Sequence, residues 1–229
     1  MRRLLYASVV LVAAAIGVAA LLWQGILWFN MPSRARWPIR GLDVSHHQGA
    51  IDWARVDAAA WRFVWIKATE GGDWRDSRFA ENWVGARAAG LAPGAYHFYT
   101  FCRPAAEQAA NFLAVTPDEP NTLPPVVDVE FGGNCAARPT REALLAELAV
   151  YADAVEAGLG RRPLLYATGD ATRDYQLSGI AWVRDIFWEP APPWTVWQYG
   201  QRGRVDGIDT FVDVNVFGGD AAAFAAFVR

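Results

Sequence analysis

The chain has 229 residues, 53% hydrophobic and 14% aromatic with 12 Trp, which supplies one sizeable core and excludes a disordered chain. Its formal net charge is −3, and beyond residue 30 there are 19 basic and 24 acidic side chains, so the basic surface that a nucleic-acid partner requires is missing. Two Cys in this length make neither a disulfide scaffold nor a zinc-ligand pattern.

Met1-Arg2-Arg3 precedes an uncharged run from Leu4 to Phe29 whose one strongly polar residue is Gln24. Such a run is long enough to span a bilayer core of about 30 Å. A secretory signal has a shorter apolar region and a small-residue cleavage site. Cleavage after Ala20 is the alternative, but Leu21-Leu22-Trp23 and Ile26-Leu27-Trp28-Phe29 carry the apolar run past it. Residues 1–30 therefore read as one N-terminal transmembrane helix. Arg2 and Arg3 stay cytoplasmic, which puts the rest of the chain outside the inner membrane, in the periplasm. Residues 31–40 (MPSRARWPIR) lack periodicity, hold two Pro and read as a linker.

From residue 41 to 229 short apolar runs alternate with helical patterns. Strands are expected over 41–45, 63–69, 94–101, 125–130 and 163–168. The helices between them are expected over 52–61, 77–89, 104–115 and 140–157, with Asp52 and Thr140 as starts and Gly90 and Gly158 as stops. Strands over 180–187, 194–199 and 211–217 follow without long helices, and an Ala-rich helix over 220–228 ends the chain. The fold class is α/β: a modified TIM-like barrel of five βα units followed by three strands. A doubly wound sheet is the alternative, but no Gly-rich fingerprint follows the first strand.

The chemistry collects at strand ends. In Leu123-Pro-Pro-Val-Val-Asp128-Val-Glu130-Phe-Gly-Gly133 two acids at i and i+2 face the same side of a strand, about 6.5–7 Å apart. Burying both is costly unless they are used, and burial pushes a carboxyl toward the protonated form a general acid needs. Asp43 and Asp213 also sit inside apolar strands, the first and the last, and all four acids are expected at the C-terminal mouth of the barrel. A carboxylate cluster serves either a divalent metal or glycoside hydrolysis. Adjacent His46 and His47 make poor joint ligands, and no metal or cofactor is expected. The aromatic supply around the mouth, Tyr96, His97, Tyr99, Trp182, Trp188, Trp197 and Tyr199, favours sugar. No Ser/His/Asp or Cys/His arrangement stands out.

Residues 41–217 resemble the family 25 glycoside hydrolases, the Chalaropsis-type lysozymes. The segments that carry the resemblance are Gly41–Ser45, Ile66–Gly71, Ala89–Leu91, Gly94–Tyr99, Asp128–Glu130, Trp197–Gly200 and Val212–Asn215, in this order. The resemblance implies N-acetylmuramidase activity on the β-1,4 bonds between N-acetylmuramic acid and N-acetylglucosamine in peptidoglycan. It implies Glu130 as general acid/base, with Asp128 as its partner and Asp43 and Asp213 as supporting acids. Glu70, Tyr96, His97, Tyr99, Trp182, Trp197 and Tyr199 are expected to bind the glycan, and a monomer is expected. The sequence departs from the family at Trp182-Val-Arg184-Asp185-Ile186, where Arg184 and Asp185 either pair with each other or touch substrate. Cys102 follows the third strand and Cys135 the fourth. Those strands are neighbours in a parallel barrel, and an extracytoplasmic compartment permits oxidation, so a Cys102–Cys135 disulfide is expected. Two rival readings use the same acids: a wall-binding module that has lost catalysis, and a metal-dependent amide or ester hydrolase.

Overall fold

The computed structural model describes residues 2–28 and 30–228. The expected apolar run ends on Phe29 and the expected catalytic region on Arg229; both lie outside the described residues, as does Met1. Helix α1 (Arg2–Trp23) is an uncharged helix after its two leading arginines, and none of its window Tyr6–Trp23 is buried in the chain.

The barrel is built from β1 (Arg40–Val44), β2 (Phe63–Glu70), β4 (Ala92–Phe98), β5 (Val126–Val129), β6 (Leu164–Ala167), β7 (Ile180–Arg184), β8 (Val196–Gly203) and β9 (Val212–Phe217). They hydrogen-bond in the order β1-β9-β8-β7-β6-β5-β4-β2, and β1 pairs with β2 to close the ring. A two-residue strand, β3 (Trp74–Arg75), folds back antiparallel on the end of β2, where the sequence reads only as a polar turn. Helices α2 (Phe79–Ala88), α3 (Ala105–Leu113), α4 (Arg141–Leu159) and α5 (Gly169–Tyr175) follow β3, β4, β5 and β6, and α6 (Ala221–Phe227) ends the described chain. The α-helix expected over 52–61 is not formed. A 3-10 turn covers Trp53–Arg55, the Asp52 side chain caps nothing, and Asp57 starts a separate turn by accepting from Ala59 N at 2.8 Å.

One expectation about chain direction is corrected. The ring is not all parallel: β9 runs antiparallel to both β1 and β8. Asp213 is therefore at the start of its strand rather than its C-terminal end, and the reversed direction brings it to the mouth, opposite Asp43.

Period-2 alternation divides each strand between two cores. Inward-facing Phe63, Trp65, Val126, Tyr166, Trp182, Val196 and Phe217 fill the barrel with Ile39 and Leu123. Trp65 stacks on Trp182 with centroids 4.6 Å apart, and Phe217 packs against Phe224 and Phe227 of α6, which closes the far end. A Cβ at Gly41 would meet the Phe63 ring and one at Gly94 the Trp65 indole, so these two positions admit the large rings. Outward-facing Leu42, Val64, Ile66, Val127 and Val129 pack under the helices, where Ala105, Ala109 and Phe112 of α3 and Leu144, Tyr151 and Val155 of α4 meet them at helical spacing. Fully burying each such large side chain contributes about 1.5–3 kcal/mol. The interior packs with apolar rings below and polar groups above, which leaves the upper end for chemistry.

Candidate active site

Above the ring layer, the inward positions turn polar in nearly every strand. A cavity of about 210 Å³ opens there, lined by Asp43, Tyr96, Asp128, Glu130, Tyr166, Trp182, Arg184, Gln198, Gln201 and Asp213. The four acids expected from the sequence thus meet in one place, with Tyr96 and Trp182 as the aromatic walls.

A hydrogen-bonded floor fixes Asp43. Gln198 Nε2 and Asn215 Nδ2 donate to its Oδ2 at 3.0 and 2.8 Å. Gln198 in turn accepts from Tyr166 Oη at 3.0 Å, and Asn215 Oδ1 accepts from Trp182 Nε1 at 2.8 Å. Burial raises the Asp43 pKa while these amide donors oppose the rise. Across the β1–β9 pair, burial and then the adjacent Asp43 charge lift Asp213 well above the usual carboxylate range. Of this pair Asp213 is the better holder of a proton, and Asp43, with two amide donors on its Oδ2, the better anion.

The second pair is on β5 and its exit. Asp128 is raised well above its ordinary value by burial and then by Glu130, while Lys67 draws it down. Its Oδ1 is buried without a hydrogen-bond partner among the described residues. Glu130 is half-buried and raised by burial, with Arg184 and Lys67 opposing. Lys67 donates to Glu70 Oε2 at 2.7 Å and sits over the Phe98 and Trp74 rings. Two repelling carboxyls in a buried site retain a proton between them. Glu130, the more exposed of the two, is placed to deliver it outward.

Several expected glycan contacts lie elsewhere. His97, Tyr99, Trp197 and Tyr199 face the outer core, because they alternate with inward Tyr96, Phe98 and Gln198. His97 is fully buried, hydrogen-bonded to Thr69 and Gln108 and stacked on Tyr151; burial lowers its pKa to about 4, so it is neutral. Trp197 donates to Asp185 O at 2.8 Å, and Tyr199 Oη accepts from Arg40 at 3.0 Å. Glu70 is ion-paired with Lys67 outside the cavity lining. Trp188 is 77% exposed. Arg184 and Asp185 do not pair: Arg184 lines the cavity and bonds Gln201, while Asp185 Oδ1 accepts from Phe187 N and Trp188 N. His46 is occupied by Asp76, at 2.9 Å from its Nδ1. Tyr166, Gln198, Gln201 and Asn215 are the site residues that the sequence reading missed; the inward alternation from Asp213 to Asn215 was the available signal.

Two loops frame the acids. The Cys102–Cys135 disulfide, Cα atoms 6.3 Å apart, ties the loop after β4 to the loop after β5. Asn134 reinforces it by donating to Tyr99 O and Glu130 O and accepting from Phe101 N and Cys135 N.

Comparison with known proteins gives a consistent set. The family profile described as glycosyl hydrolases family 25 matches residues 42–208. The chain is similar to the uncharacterised protein YegX of Escherichia coli K12, with 34% identity over 208 residues, 85% of this chain and 75% of that protein. It is similar to Lysozyme M1 of Streptomyces globisporus, with 34% identity over 215 residues, 83% of this chain and 71% of that protein. A solved family 25 glycosyl hydrolase from Bacillus anthracis matches with a TM-score of 0.81 and 33% identity, covering 89% of this chain and 98% of that one.

Proposed function

The chain belongs to the glycosyl hydrolases of family 25, and from that premise we propose how its acids divide the work. The protein is a lysozyme that hydrolyses the glycan of peptidoglycan. Glu130 is the general acid: it protonates the oxygen of the β-1,4 bond between N-acetylmuramic acid and N-acetylglucosamine as that bond breaks. Asp128 holds the acetamido group of the sugar, its unpartnered buried Oδ1 accepting the amide N–H. Asp43, ionised and held by Gln198 and Asn215, stabilises the positive charge that develops on the sugar ring. Asp213 keeps Asp43 in place from the facing strand. Tyr96 and Trp182 form the apolar walls.

The observation that carries this reading is the convergence of Glu130 with an orphaned Asp128 oxygen in a cavity walled by aromatic rings. Glu130→Gln keeps the shape and removes the proton. It should lower release of reducing ends from purified peptidoglycan on the order of 10²–10⁴-fold with unchanged circular dichroism. Wild-type rates in that variant would remove Glu130 from the role, and release of peptide ends instead of sugar ends by wild type would favour the amide hydrolase.

In this reading α1 crosses the inner membrane with Arg2 and Arg3 inside and the barrel outside, joined by residues 31–40. One chain carries all four acids of the cavity, so the reading needs no partner subunit.

A further inference from the structure

A second cavity, of about 230 Å³, has the opposite electrostatics to the first. It lies between the exit of α1 and the outer wall of β8 and β9, and four of its lining residues are Arg34, Arg40, Arg202 and Arg204. No carboxylate lines it among the described residues. Arg40 is 8% exposed and, among the described residues, bonds only the neutral groups Tyr199 Oη and Pro32 O, while its Nε is buried with no partner among them. A buried guanidinium with an unpaired N–H is costly, and an anion in the cavity removes that cost.

The position specifies which anion. Arg202 donates to Trp23 O at 2.7 Å, the last residue of α1, and lies over the Trp23 ring at 4.3 Å. Arg204 donates to Gln24 O and Oε1 at 2.7 and 2.9 Å. Each guanidinium has five N–H donors, so both keep donors for a ligand. Exposed Trp23, Ile26, Leu27 and Met31 lie on the same segment as the lining residues Gly25 and Trp28, the mixture of aromatic, apolar and cationic side chains that suits a bilayer interface. We propose that this cavity binds the phosphate of an anionic phospholipid headgroup, which docks the barrel on the outer face of the membrane. The proposal rests on the membrane-spanning reading of α1. Gln201, directly before Arg202 in the β8–β9 hairpin, lines the catalytic cavity, so a docked headgroup holds the catalytic mouth close to the bilayer and within reach of membrane-proximal glycan.

The full-length protein in neutral detergent tests this with phosphatidylglycerol, phosphatidylcholine and inorganic phosphate as separate probes, read by native mass spectrometry and thermal midpoint. Phosphatidylglycerol should be retained one per chain and raise the midpoint, and phosphatidylcholine should do neither. Arg34→Gln with Arg204→Gln should weaken retention by at least tenfold, at about fivefold per arginine, and leave hydrolysis of soluble glycan fragments unchanged. An equal midpoint shift from inorganic phosphate alone would overturn the lipid assignment, as would undiminished retention in the double variant. A chain that floats with vesicles yet retains no phosphatidylglycerol overturns the headgroup site alone. A chain that does not float overturns the membrane reading and the site with it.

Discussion

Arg184 is the one cation among ten residues lining the catalytic cavity. Its charge opposes the burial that raises Glu130, Asp43 and Asp213. A general acid works while protonated, so activity falls as pH rises through its pKa. Arg184→Met removes the opposing charge at similar volume, raises the Glu130 pKa, and should move the alkaline limb of the kcat/KM profile to higher pH. A limb that stays in place, or moves to lower pH, would show that Arg184 does not set this proton. The acids themselves were legible in the sequence because carboxylates in apolar strands are energetically anomalous, Asp128 and Glu130 between Pro-Pro and Gly-Gly above all. Gln198 and Asn215 were not, since neutral polar side chains in a strand carry no such signal. Trp197 and Tyr199 show a second limit. A strand buried on both faces has no apolar alternation to read, so the inward residue between them was hidden by its larger neighbours.

At the scale of elements, the order of strands and helices was readable from short apolar runs and their Gly, Pro and Thr punctuation. Strand direction was not, because residue pattern does not encode whether β9 returns up or down, and the two-residue β3 is too short for any periodicity. The helix expected over 52–61 failed because Asp52 and Asp57 sit at the heads of two separate turns that do not join into one helix. The loop clasp is the element with the most testable energetics. Cys102 and Cys135 are 33 residues apart, and closing a loop of that length stabilises the folded state by about 3–4 kcal/mol in the chain-entropy account. Replacing both by Ser should lower stability by that amount in urea unfolding. Asn134 still joins Tyr99 O to Glu130 O in this variant, so kcat on short glycan fragments should stay within a few fold. A collapse of kcat with little loss of stability would mean that the disulfide, not Asn134, positions Glu130.

The whole molecule joins two surfaces of opposite charge through one hairpin. The candidate span Tyr6–Trp23 holds 18 residues, about 27 Å of helix, close to the thickness of a bilayer core. Between it and β1 lie only residues 24–39, and hydrogen bonds from Arg202 and Arg204 to Trp23 and Gln24, with Trp28 bonded to Ile186 O, lay the start of this segment along the barrel wall instead of leaving it as a long tether. In the proposed membrane placement of α1, the reach of the catalytic mouth from the bilayer is set by the barrel and not by a linker. Short glycan fragments diffuse to a mouth held in this way, but an intact sacculus must itself come down to the membrane surface. Enzyme reconstituted in vesicles should therefore hydrolyse soluble fragments as fast as enzyme in detergent, and clear suspended sacculi far more slowly. In vesicles of phosphatidylcholine alone, which the headgroup site does not hold, cutting the chain at an engineered protease site within 31–38 should restore clearance, because the apolar helix stays in the vesicle while the barrel leaves. Clearance as fast before the cut as after it would show that the barrel is not held at the membrane, whatever α1 does.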